Sequence, residues 1–159
     1  MTKRAEELAG QFAAINGEYL AAVGACSDEQ WGETCPADGR TIGIVAHHMA
    51  TVQGAMAGMI GAATSPDGLS LAISAADVEQ MNTDHARDQA GVGRLETLDA
   101  LRTGGEAFVG TVRGLSDADL ARSVGVVAGH ELTVEQVIEL AVIGHAKEHL
   151  AAIRGGIAG

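Results

Sequence analysis

From Thr41 to Pro66 the chain carries no Asp, Glu, Lys or Arg. A charge-free stretch of that length belongs in a membrane or in the interior of a helical protein. A spanning helix needs about 20 mostly apolar residues, and here His47, His48, Gln53, several threonines and several glycines interrupt. These polar groups argue against insertion and leave a buried helix from Thr41 to Ala63. Val45, His48, Val52 and Met59 share a stripe on it, with Met49 and Met56 alongside. His48 therefore points with the apolar residues, and His47 is turned about 100° away. Gly54, Gly58 and Ala62 recur every fourth residue. Small residues so spaced let a neighbouring helix come close, although each glycine weakens a helix by about 1 kcal/mol.

The second constraint is near the C-terminus. Val137 to Ile143 holds a single charge, Glu139, and His145 and His149 follow four residues apart. A helix there is buried on most of its circumference, and both rings leave one face with Cβ atoms roughly 5–6 Å apart. A buried polar group without a partner costs roughly 1–3 kcal/mol. The pair is therefore either hydrogen-bonded within the core or bound to one metal ion. His48, on its own apolar stripe, supplies a third imidazole. Three neutral imidazoles around one ion leave an open position, the pattern of a catalytic rather than a structural site; no cysteine is placed to close it. His47, His85 and His130 are expected at the surface or the pocket rim. His145-Ala146-Lys147-Glu148-His149 also fits the H-x-x-E-H pattern of inverted zinc peptidases. Too little chain follows His149 for a downstream ligand, and Glu148 beside Lys147 reads as a solvated pair.

The remaining chain supplies the scaffold. Leu8, Phe12, Ile15, Tyr19 and Ala22 fall at helical spacing in a first helix from Thr2 to Ala25. Ser27 to Arg40 is a loop in which Trp31, the single tryptophan, plugs one end of the core. A shorter helix spans Ser74 to Ala90, opened by a Ser74/Asp77 capping box. Another runs from Arg94 to Leu115, with a kink expected at Gly104-Gly105. Ser116 to Leu120 is a turn, and Ser123 to Leu132 is a loop or short extended piece. Thr133 caps the last helix with Gln136 completing the box, and Gly155-Gly156 ends it. Aromatic residues are only 3% of the chain and hydrophobic residues 47%; small aliphatics favour close-packed helices, and alternating β-branched runs are nearly absent. Four long helices and one short one in residues 1–159 make a single all-α four-helix bundle, whose core can host a metal on facing helices.

The formal charge is −11, which argues against nucleic acid and anionic membrane surfaces as partners. Cys26 and Cys35 form no CxxC pair; without a secretion signal at the charged N-terminus, reduced thiols and a cytoplasmic location are expected.

Trp31, then Thr41-Ile42-Gly43-Ile44-Val45-Ala46-His47-His48-Met49, then His145-x-x-x-His149 resembles the DinB/YfiT-like superfamily. More narrowly it is similar to the branch near the N-terminal domain of mycothiol-dependent maleylpyruvate isomerase. Met81-Asn82 and Leu115 to Leu120 fit that branch too. The resemblance implies a four-helix bundle with a long crossover connection. It also implies a zinc or nickel ion held by one His of the second long helix and two residues one turn apart on the last, here His48, His145 and His149. Relatives include transferases and isomerases using low-molecular-weight thiols such as mycothiol, and hydrolases; many are dimers. The expected function is a metal-dependent enzyme acting on a small electrophile, with a small-molecule substrate and a homodimeric state. Alternatives are a non-catalytic metal or ligand sensor, or a structural dimer with a vestigial site. Tyr19, Asn82, Asp84 and Glu18 are candidates to accept hydrogen bonds from the outer ring nitrogens.

Overall fold

The computed structural model describes residues 2–158. Helix α1 spans Lys3–Ala25, capped by Thr2. A one-turn helix α2, Asp28–Trp31, interrupts the expected loop, because Ser27 and Gln30 form a reciprocal capping box. Helix α3 is Ile42–Ala63, capped by Thr41. Strand β1, Leu71–Ile73, precedes α4, Ala75–Asp88, whose Ser74/Asp77 box forms as expected. Helix α5 is Arg94–Arg113, and Ser116 boxes with Asp119 to wind the expected turn into α6, Asp117–Leu120. Strands β2, Ser123–Val127, and β3, His130–Thr133, close a hairpin. The C-terminal helix then runs as α7, Val134–Gln136, a π-helical segment, Val137–Gly144, and α8, His145–Ala158.

Helix α5 packs on α1 and α3, and α8 packs on the same two. The long helices therefore form a four-cornered bundle in which α1 and α3, consecutive in sequence, stand mainly on opposite corners. The chain from Cys26 to Thr41 must cross one end of the bundle, which is the long crossover the resemblance implied. The core is small aliphatics around Phe12 and Phe108, whose ring centroids are 4.5 Å apart. Trp31 is half-buried, and its indole Nε1 donates to the Val92 carbonyl at 2.9 Å.

Two expectations are corrected, and the role of a third feature is clear. Helix α5 runs continuously through Gly104-Gly105; a Cβ on Gly105 would meet Asn16 Nδ2 at 2.1 Å and one on Gly104 the Ala50 carbonyl at 3.3 Å, so the pair lets α1 and α3 approach. Gly155-Gly156 does not end the last helix, which continues to Ala158; a Cβ on Gly156 would meet Ile42 Cδ1 at 3.1 Å, so that glycine serves packing rather than termination. A small sheet of order β1-β2-β3 is present, with β1 parallel to β2 and β2 antiparallel to β3. Its turn, Ala128-Gly129, has φ of 49° and 85°, suiting a two-residue hairpin loop. Among the described residues, no helix is long and apolar enough to cross a membrane.

Candidate metal centre

The crossover loop builds one wall of the site. Cys35 bonds back to Arg40 (N to O, 2.8 Å), and Asp38 and Gly39 both donate to the Cys35 carbonyl at 3.1 and 2.8 Å. This tight turn needs a left-handed residue, supplied by Gly39 at φ 84°. The turn presents the Asp38 carboxylate and the Arg40 guanidinium together. Arg40 grips Asp38 side-on, Nε to Oδ1 at 2.6 Å and Nη2 to Oδ2 at 2.8 Å. Oδ2 also lies 3.2 Å from His149 Nδ1, so a chain Arg40–Asp38–His149 links the loop to α8.

His48 comes from α3, and His145 and His149 from α8. His145 Nε2 is 2.9 Å from His48 Nε2 and 3.1 Å from His149 Nε2. The three side chains each place a ligating atom within 4.8 Å of the others. Burial pushes the His48 ring down to about 3 and, with His145 beside it, the His149 ring to about 4; burial lowers His145 as well. All three are neutral near pH 7. If His149 donates from Nδ1 to Asp38, its Nε2 is a bare acceptor. His145 Nε2 carries at most one proton and cannot donate to both neighbours. At least one of the two contacts is therefore left without a hydrogen bond, and burial opposes the extra proton that would supply it. A cation at the centre removes the conflict. The separations lie within a few tenths of an ångström of the roughly 3.3 Å that bonds of about 2.05 Å impose across a tetrahedral ion. The donor set fits zinc or nickel.

Of the orienting candidates, none donates or accepts at the three rings. Glu18 pairs with Arg154 and Asp84 with Arg87, both on the outside. Tyr19 is buried and, among the described residues, its hydroxyl has no partner, and Asn82 lines a groove along α4. The carboxylate at His149 is Asp38, which sequence reasoning missed; the Asp38-Gly39 dipeptide marked a turn, but its reach to α8 depends on the crossover. His47 and His85 sit at the rim as expected, half-buried, with His47 Nδ1 2.9 Å from His85 Nε2. His85 also stands edge-on to His48, centroids 5.4 Å apart, closer than a rim assignment suggests. His130 is exposed in the hairpin and Glu148 is exposed on α8. Cys26 and Cys35 are buried free thiols, and burial pushes Cys35 up to about 11.

No curated protein matches the chain. Among solved structures it is similar to YfiT from Bacillus subtilis, described as a probable metal-dependent hydrolase with an unusual four-helix bundle topology. That likeness has a TM-score of 0.77 at 16% identity and covers 98% of this chain and 87% of that one, which shows the shared fold. The model of the DinB superfamily matches residues 11–153, and the chain belongs to that superfamily.

Proposed function

We propose that this chain is a metal-dependent enzyme, a hydrolase or a thiol-dependent transferase or isomerase, that acts on a small electrophile at an ion held by His48, His145 and His149. The observation that carries this reading is the meeting of three neutral imidazole Nε2 atoms, two pairs of them at 2.9 and 3.1 Å, at a point where one cation would satisfy all three. When bound, zinc or nickel would lower the pKa of water or a thiol at its open position, giving hydroxide or thiolate near neutral pH. The protein residues do the rest. Asp38 accepts from His149 Nδ1 and keeps its Nε2 turned inward. Arg40 fixes Asp38 in turn. His85 is the imidazole next to the site that is not itself a ligand. In the tautomer that donates from Nε2 to His47, its buried Nδ1 keeps a lone pair that, among the described residues, no group meets. The hydrolytic branch draws on what YfiT is described as; the thiol branch, with mycothiol as the cofactor, draws on the resemblance of the motifs.

The test is elemental analysis of untagged protein, wild type beside His48→Ala and His47→Ala. About one transition-metal ion per chain, lost in His48→Ala and kept in His47→Ala, is the expected result. A full complement of metal in His48→Ala overturns the assignment. The loaded protein is then screened for hydrolysis of activated esters and for transfer of mycothiol to an electrophile; a bound ion with neither turnover moves the reading to a binding protein.

A further inference from the structure

Arg40 offers more than Asp38 uses. A guanidinium carries five N–H donors in two forks. The side-on fork, Nε and one N–H of Nη2, is spent on Asp38. The end-on fork, Nη1 with the other N–H of Nη2, is not. Nη1 is shielded from solvent and, among the described residues, has no hydrogen-bond partner. A buried cationic donor left unmade is costly, and supporting Asp38 does not require it. The same side chain lines an open groove of about 480 Å³ with Val78, Glu79, Asn82, Thr83 and Ala86 of α4. That volume suits a small organic ligand. Asp38 ties Arg40 to His149, and His85, also on α4, stands edge-on to His48 with ring centroids 5.4 Å apart. The protein as a whole is acidic, with a formal charge of −11, so its net charge does not attract an anion. An anionic group that binds must be held by a local fork, and Arg40 is the cation that lines the groove.

We propose that the free fork of Arg40 anchors a carboxylate or similar planar anion of the substrate, so that the substrates are small anionic molecules lying in the groove with their reactive end at the three histidines. This rests on the metal-centre reading above and adds the substrate class to it. Glu79, exposed on the same groove, would repel a second anionic group, so the ligand's charge belongs at the Arg40 end.

The test uses cobalt(II)-loaded full-length protein, with 3-mercaptopropionate and its uncharged amide as probes. Metal content is read by elemental analysis and probe binding by visible absorption. The expected result is at least tenfold tighter binding of the carboxylate in wild type. In Arg40→Gln the ratio of the two affinities falls to about one, whatever change the two probes share. Equal affinities in wild type, or a preference that survives in Arg40→Gln, overturns the proposal. Should Arg40→Gln release cobalt, Ala86→Glu decides: selective weakening of the carboxylate supports the anchor, and equal weakening of both probes or of neither overturns it. Should wild type itself hold no cobalt, the metal-centre reading fails separately. Arg40 is then judged by NMR on the metal-free protein, where its Nε–H resonance should shift with the carboxylate and not with the amide; no shift overturns the proposal.

Discussion

Replacing Asp38 by Asn tests how far the crossover loop sets the metal centre, and the geometry fixes the size of the effect. Oδ2 accepts from Arg40 Nη2 at 2.8 Å and faces His149 Nδ1 at 3.2 Å, while Oδ1 accepts from Arg40 Nε at 2.6 Å. An amide nitrogen cannot accept. Placed at the Oδ2 position it would oppose Arg40 Nη2 and His149 Nδ1; at the Oδ1 position it would oppose Arg40 Nε and the Arg40 backbone N–H, which donates to Oδ1 at 3.3 Å. The orientation that preserves the His149 contact keeps the Asn oxygen at the Oδ2 position and sets its nitrogen against Arg40 Nε and the Arg40 backbone N–H. His149 keeps a hydrogen bond but loses the anion behind it. Outer partners of metal-bound histidines are worth about 10- to 100-fold in affinity. Asp38→Asn should sit at the low end, about tenfold or ~1.4 kcal/mol, and Asp38→Ala, which removes every contact, at about 100-fold. Competition for zinc against a chromogenic chelator at pH 7 reads both, with circular dichroism to show unchanged helix content. Zinc affinity within threefold of wild type in Asp38→Ala would refute the argument that Asp38 orients His149.

Two further outcomes concern the scaffold. Phe108 is fully buried against Phe12, so Phe108→Ala should cost about 3–5 kcal/mol in urea unfolding while zinc stoichiometry at low urea stays unchanged; a loss under 1 kcal/mol would mean the small-residue core closes over the gap. Gly105→Ala would drive a methyl to 2.1 Å from Asn16 Nδ2 and displace its hydrogen bond to the Leu101 carbonyl. It should destabilise by about 1–3 kcal/mol, and a more stable variant would show that α1 and α5 have room to spare.

What could be read from the chain divides along the range of the interactions. The long helices follow from apolar stripes and caps that lie within a few residues of each other. The absence of charge from Thr41 to Pro66 places α3, and Thr133 with Gln136 opens the C-terminal helix where expected. His48, His145 and His149 could be singled out because each lies on a locally apolar face. Asp38 and Arg40 could not, because nothing local distinguishes them in a polar loop; their roles arise only when the crossover carries that loop over to α8. The small sheet was hidden for a related reason. Leu71–Ile73 is three residues long and pairs with Gly125 to Val127, far along the chain. The glycines misled in one direction only. Gly104-Gly105 read locally as a kink and Gly156 as part of a helix end, yet their neighbours in space show close packing.

The π-helical segment ahead of His145 has a part in aiming the ligands. Buried residues on this helix fall at Val137 and Ile138, then five residues on at Val142 and Ile143, then at Ala146, at His149 and Leu150, and at Ala152 and Ile153. The five-residue step comes from the wide turn, with hydrogen bonds from i to i+5. It carries the apolar face past Leu140, which stays 63% exposed, and sets the register in which His145 and His149 meet His48. Gly144 closes this segment, and a Cβ there would stand 3.2 Å from the Glu139 carbonyl, five residues back. Gly144→Ala gains about 1 kcal/mol of helix propensity and presses on the acceptor that defines the wide turn. If the turn holds, the carbonyl must yield by a few tenths of an ångström. If it relaxes to an ordinary α turn, His145 rotates by roughly 100° from its present direction. Either course weakens zinc binding at least tenfold, while the opposing contributions keep the melting temperature within about 4 °C of wild type. Zinc bound as tightly as in wild type, together with a higher melting temperature, would mean that the wide turn plays no part in aiming His145. The register of His145 and His149 would then be held by the packing of α8 against α1 and α3 alone.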